Sequence, residues 1–206
     1  MPEPLRIDPA AGRSKPIREA LEVAREAHAG QIRSGSGGMP YINHPVAVTE
    51  LLSKHGYDDE AVLAAALLHD VVEDSELSVD DVAKRFGTPV AELVETLTDD
   101  EELEPYERRK EEHRRRVAEA GGDALAIYGA DKLTNVRALR LAYASEGEAA
   151  GEEFKVPLDA KEKIWVADLE MLQREAPELP FLDDLEASLS ALREVRSPNQ
   201  SPSPQG

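Results

Sequence analysis

LLHDVVED, residues 67–74, closes an apolar run that starts at Val62, and its last six positions gather one histidine and three carboxylates. Val62, Leu63, Ala65, Ala66, Leu67 and Leu68 fill the approach, so these acids stand at the edge of a core. Burying them there is costly unless a metal, another cation or hydrogen bonds compensate. Residues four apart share one face of a helix, which predicts His69 beside Glu73 and Asp70 beside Asp74, two adjacent columns of ligands and acids. The neighbouring segments repeat this helical spacing, and none sustains the alternation of a half-buried strand, so the fold is predicted to be all-α.

Working outward, Ile17, Leu21, Ala24 and His28 mark one face of a first helix, followed by the loop Ser34-Gly35-Ser36-Gly37-Gly38. His44-Pro45 opens a second helix, since proline is tolerated in a first turn, and Gly56 ends it. Asp58 is the expected N-cap of the helix carrying the central stretch, and Ser78 with Asp81 forms a capping pair for the next. Thr88-Pro89 is another start signal. A highly charged helix over residues 105–120 stops at Gly121-Gly122, after which Asp123 is expected to cap a long apolar helix reaching about Ala144. A connection over 145–157 leads to a helix around Trp165 and a last one near residues 181–195. The expected organisation is a polar leader (1–15), one domain (16–196) and a disordered Pro- and Ser-rich tail (197–206).

The chain has 206 residues, a formal net charge of −18 and no cysteine. The charge argues against a nucleic-acid partner held through phosphates, and the missing thiols leave His, Asp and Glu as metal ligands. Without a signal-like or membrane-length apolar stretch, a cytoplasmic protein with no membrane partner is expected.

Beside His69 and Asp70, the chain offers His44 at a helix start and Asp131 inside the apolar run 124–133. Singly, His44 could cap its helix, His69 could be a satisfied core histidine, and Asp131 could pair with Lys132 or Arg137. Together, two imidazoles and two carboxylates suit Mn²⁺, Fe²⁺ or Zn²⁺. Such an ion polarises phosphoryl oxygens and acidifies water. Asn135, four residues past Asp131, shares its face.

The order His44, His69-Asp70, Asp131 resembles the H…HD…D pattern of HD-domain phosphohydrolases. HAGQIRSGSGGMPYINHPVAV, AALLHDVVEDSELSVDDVAKRFG and ADKLTNVRAL are similar to the hydrolase domain of RelA/SpoT-type enzymes. The likeness runs from about Ile17 to Arg174 and is strongest to the stand-alone small alarmone hydrolases, the subgroup that includes the metazoan SpoT homologue. It implies an HD helical fold with one Mn²⁺, or another divalent metal, on His44, His69, Asp70 and Asp131. Glu73 and Asp74 would be the catalytic acids that position and activate water, and Arg33, Tyr41, Lys132 and Asn135 would meet the substrate. The implied reaction removes pyrophosphate from the 3′ position of guanosine tetra- or pentaphosphate (ppGpp or pppGpp), giving GDP or GTP.

Three places depart from the pattern. Ser34 and Ala138 stand where relatives often carry lysine and a polar residue, and Tyr128-Gly129 replaces a usual Lys-Leu. They spare the ligands and put substrate identity in question, which leaves NADPH or another phosphorylated nucleotide as an alternative substrate. A catalytically silent alarmone-binding regulator is the other rival, against which the two water-activating acids argue. For the charged helix, a solvated face laced with ion pairs is expected; the sharper alternative has one or two of its arginines reaching the pocket to neutralise the substrate's distal phosphates. Trp165 is expected in the core.

Overall fold

The computed structural model describes residues 14–34, 36, 38–100, 102–152 and 154–196. The expected tail and residues 1–13 of the expected leader lie outside these. The described residues form α1 (Lys15–Ala27), α2 (Asn43–Lys54), α3 (Glu60–Leu68), α4 (Val71–Asp74), α5 (Val79–Phe86), α6 (Thr88–Leu97), α7 (Tyr106–Ala120), α8 (Gly122–Glu146), α9 (Ala149–Glu152), α10 (Leu158–Glu175) and α11 (Leu182–Arg196). No strand occurs among them. An isolated antiparallel bridge between Ile32 and Pro40 closes the loop before α2.

Local chemistry accounts for most boundaries. Ser14 accepts from the Ile17 N–H at the start of α1, and Ser78 and Asp81 cap α5 reciprocally. Asp59, not Asp58, caps α3, with Oδ1 accepting from Ala61 N at 2.8 Å and Val62 N at 3.2 Å. Asp123 is likewise not a cap. Gly121, at φ 68°, both ends α7 and precedes α8, which places Asp123 in the first turn of α8, where its charge complements the helix dipole. The connection over 145–157 contains the short α9.

Seven of the nine residues of α3 are buried, Val62 through Leu68, as a helix apolar on all sides requires. It packs against α1, α2, α6 and α8. The 25-residue α8 runs through the centre and meets α2, α7, α10 and α11, so the loci of His44, His69 and Asp131 converge. Among the described residues, no helix is long and apolar enough to cross a membrane.

Gly129 lies within α8 where the helix packs against Leu172 of α10 and against Phe181, just before α11. A Cβ there would meet Phe181 Cε2 at 2.9 Å and Leu172 Cδ1 at 3.4 Å. This glycine is therefore a packing requirement. Gly129→Ala is expected to lower stability by about 1–3 kcal/mol from overpacking, offset in part by about 1 kcal/mol of helix propensity. A thermal melt checks this, and a raised melting temperature would contradict the packing account.

Candidate metal centre and its two clefts

Three helices deliver the central side chains. His44 stands in the first turn of α2 and Asp131 in the middle of α8, while His69 and Asp70 occupy the junction of α3 and α4. The continuous helix expected through residues 67–74 is corrected here. Helix α3 stops at Leu68, Asp70 adopts φ −102° and ψ −3°, and the chain resumes as the four-residue α4. Neighbours on a regular helix diverge by about 100°. At this break, His69 Nε2 and Asp70 Oδ2 instead lie 3.2 Å apart. The Asp74 N–H still donates to the Asp70 carbonyl at 2.9 Å, which keeps α4 in helical register with it.

The imidazole Nε2 atoms of His44 and His69 face each other at 3.2 Å. Asp131 Oδ1 lies 3.0 Å from His44 Nε2, and Asp70 Oδ2 lies 3.5 Å from the same atom. His44, His69 and Asp131 each offer a ligand atom within 4.8 Å of the others. The far side of each ring fixes its tautomer. His69 Nδ1 donates to the Ala66 carbonyl at 2.9 Å. Thr134 Oγ1 donates to the Asp131 carbonyl, which leaves it to accept from His44 Nδ1 at 3.3 Å. Each ring, when neutral, therefore turns its Nε2 lone pair inward, and these nitrogens beside two carboxylates call for a cation, either a proton on His69 or a metal ion. The donor set fits a borderline divalent metal.

Charge is divided unequally within this cluster. Burial and then Arg33 lower His44 to about 4. Burial works in the same direction on His69, but the Asp70 carboxylate and its hydrogen bond raise it to about 9. His69 thus carries a proton at neutral pH that an incoming ion must displace. Apparent affinity for Mn²⁺ is expected to rise about tenfold per pH unit between pH 6 and 8, as one displaced proton requires. Calorimetry across that range tests this, and a flat profile would contradict it. Burial favours the neutral form of Asp131, but Lys132, whose Nζ donates to Oδ2 at 2.7 Å, holds it well below the usual carboxylate range.

The other sequence-derived candidates surround this cluster. Tyr41 donates to Asp70 Oδ2 at 2.8 Å, and Asn135 Nδ2 donates to Asp131 Oδ1. Arg33 Nη2 donates to Asn135 Oδ1 at 2.6 Å, reaching across 102 positions of sequence. The Glu73 carboxylate accepts from the Asp99 N–H at 3.2 Å. Glu73 stands at the mouth, reached by solvent on one side and walled by protein on the other. That partial desolvation, then Asp70, raises it to about 7, while Lys110 pulls the other way. Asp74 is raised as well, by burial and then Asp70, and Gln31 pins its carbonyl at 2.9 Å.

Asp99, His113, Lys161 and Asp168 were not anticipated. Helix α7 departs from a wholly solvated face. Arg115 pairs with Glu112 and Glu119 on the surface as expected, but Lys110 donates to Asp99 Oδ2 at 2.6 Å and Arg114 to Asp168 Oδ1 at 3.0 Å. Trp165 is buried yet forms part of the cavity wall.

Two cavities meet at His44. A polar chamber of about 210 Å³ holds His69, Asp70, Glu73 and Asp131 together with Lys110, Lys132 and Lys161. On the other side, an open cleft of about 580 Å³ runs between α2 and α8, with walls that include Ala47, Leu51, Ala138 and Leu141 and with Arg33 at one end. The first suits phosphate groups and the second a flat, largely apolar ring.

Comparison with known proteins matches residues 20–156 to an HD domain. The chain is 42% identical over 124 residues to the mouse guanosine-3′,5′-bis(diphosphate) 3′-pyrophosphohydrolase MESH1, covering 60% of this chain and 69% of that protein. It is 42% identical over 129 residues to the Drosophila melanogaster MESH1, covering 62% and 72%. A solved structure of a metazoan orthologue of SpoT, described as hydrolysing ppGpp and acting in starvation responses, superposes with a TM-score of 0.70 at 33% identity. That match covers 89% of this chain and 96% of the other.

Proposed function

The chain belongs to the HD-domain family, and from that membership we propose that it hydrolyses ppGpp and pppGpp at the 3′ position, releasing pyrophosphate and GDP or GTP. The observation that carries this reading is the convergence of His44 Nε2, His69 Nε2 and Asp131 Oδ1 within 4.8 Å between a lysine-lined chamber and an apolar cleft. The names of the relatives, ppGpp 3′-pyrophosphohydrolases at 42% identity, support the same substrate.

His44, His69, Asp70 and Asp131 would hold the ion, which we take to be Mn²⁺. Once bound, it supplies Lewis acidity toward phosphoryl oxygens and acidifies water. In the reaction, the oxygen of water bonds to the phosphorus next to the 3′ oxygen, the P–O3′ bond breaks, and the 3′ oxygen gains a proton. Glu73, raised to about 7, is poised to take the proton from water near neutral pH. Asp74 lies beside it on a turn fixed by Gln31. Lys110, Lys132 and Lys161 line the chamber and offset the pyrophosphate charge. Arg33 and Asn135 meet at the passage to the apolar cleft, which would take the nucleoside.

The test is anion-exchange separation of products after incubating the Mn²⁺-loaded protein with ppGpp. GDP and pyrophosphate are the expected products. Intact ppGpp beside demonstrable Mn²⁺ binding would reject this substrate and turn attention to NADPH, since exposed Ser34 lacks the charge of a lysine and cleft-lining Ala138 lacks a polar group.

A further inference from the structure

The ammonium of Lys132 is held from two sides. In front, Nζ donates to Asp131 Oδ2 at 2.7 Å. Behind, it lies 4.1 Å from the centroid of the Tyr128 ring, one turn earlier on α8. Tyr128 is 1% exposed, and its hydroxyl donates to Asp168 Oδ1 at 2.9 Å. The same oxygen accepts from Arg114 Nη1 at 3.0 Å. A polar chain therefore runs from α7 through α10 to the middle of α8: guanidinium, carboxylate, neutral phenol, ammonium, carboxylate.

We propose that Tyr128, backed by Asp168 and Arg114, is a positioning residue that holds the Lys132 ammonium on Asp131 Oδ2 and so leaves Oδ1 alone to face the ion. The inference rests on the metal-centre reading above. A phenol that donates to a carboxylate has a more electron-rich ring face, and a cation over that face is attracted most strongly where water is excluded. Asp131 Oδ1, 3.0 Å from His44 Nε2, is the oxygen turned to the histidine pair, while Oδ2 is turned to Lys132. Without the ring, the flexible lysine stem has another destination. Asp168 Oδ2 has no hydrogen-bond partner among the described residues and belongs to the same chamber. A lysine that moved there would release Oδ2 and change how Asp131 meets the ion. Phenylalanine would fill nearly the same volume, but it could not join Asp168 to the chain.

The experiment is titration of Mn²⁺, with the free ion read by electron paramagnetic resonance. Its subjects are the parent protein, Tyr128→Phe, Tyr128→Leu, Lys132→Met and the two Tyr128 variants in the Lys132→Met background. Loss of a group that orients a metal ligand weakens binding by about ten- to a hundred-fold, so about ten-fold is expected for Tyr128→Leu. Tyr128→Phe is expected to weaken binding at least two-fold. Both effects should vanish in the Lys132→Met background, because they pass through that lysine, whereas a packing role would persist there undiminished. The proposal is overturned if Tyr128→Phe binds within two-fold of the parent, or if either change keeps its full effect without Lys132. Tyr128→Phe decides alone where Tyr128→Leu does not fold. A parent that takes up no Mn²⁺ would overturn the metal-centre reading itself.

Discussion

Asp70→Asn is expected to abolish both metal retention and detectable turnover. Asp70 Oδ2 sits 3.2 Å from His69 Nε2, 3.5 Å from His44 Nε2 and 2.8 Å from the Tyr41 hydroxyl that donates to it. The amide keeps the shape and loses the charge. It can also turn an N–H₂ group toward two imidazole nitrogens that should present lone pairs to an ion. Removing one charge from a buried pair costs about 3–5 kcal/mol, or about two to four orders of magnitude in affinity. The same change removes the main influence raising His69, so its imidazole would lose basicity. Metal analysis after gel filtration, together with product assay, decides the matter. Normal Mn²⁺ content and full turnover in the variant would remove Asp70 from the ligand set.

Glu73→Gln is expected to separate binding from chemistry. Glu73 stands at the chamber mouth, and its carboxylate accepts from the Asp99 N–H at 3.2 Å. Glutamine preserves that hydrogen bond through its carbonyl but cannot accept a proton from water. General-base contributions amount to about 10²–10⁴-fold, and a fall of that size in kcat is expected with Mn²⁺ affinity nearly unchanged. The parent's pH–rate profile should rise through the region near 7 where Glu73 ionises, and this rise should be absent in the variant. Equal losses of metal and turnover would show Glu73 to be part of the metal centre instead.

The helices were legible because local chemistry writes their boundaries: Ser78 with Asp81 for α5, Thr88-Pro89 for α6, and the apolar run from Val62 for α3. Asp58 and Asp59 are chemically alike neighbours, and only the emerging helix direction selects which of them reaches the Ala61 N–H. The break at His69-Asp70 was not legible, because the modest helix propensities of His, Asp and Val are a weak signal that tertiary context routinely overrides. It is imposed where α3 meets α2 and α8. The six residues His44, His69, Asp70, Glu73, Asp74 and Asp131 could be picked out because their spacing is local or matches a family pattern. Asp99, Lys110 and Asp168 find their roles through partners 11 to 54 positions away, and no periodicity encodes that. Lys161 was invisible for the same reason: it joins Lys110 and Lys132 only once α10 packs on α7 and α8.

The break that creates α4 also bears on how the molecule fails. Glu73 and Asp74 ride on a helix of four residues, too short to sustain itself because nucleating a turn is unfavourable. Their positions are maintained by tethers from elsewhere, Gln31 on the Asp74 carbonyl and the Asp99 N–H on Glu73, and by the local bond of the capping Ser75 hydroxyl to the Val71 carbonyl. Such a segment opens by local unfolding at a lower free energy than the helices around it. On warming, the acid pair would drift from its working geometry while α3 and α8 remain intact. Inactivation would then precede the loss of helical ellipticity, and cooling would restore activity without global refolding.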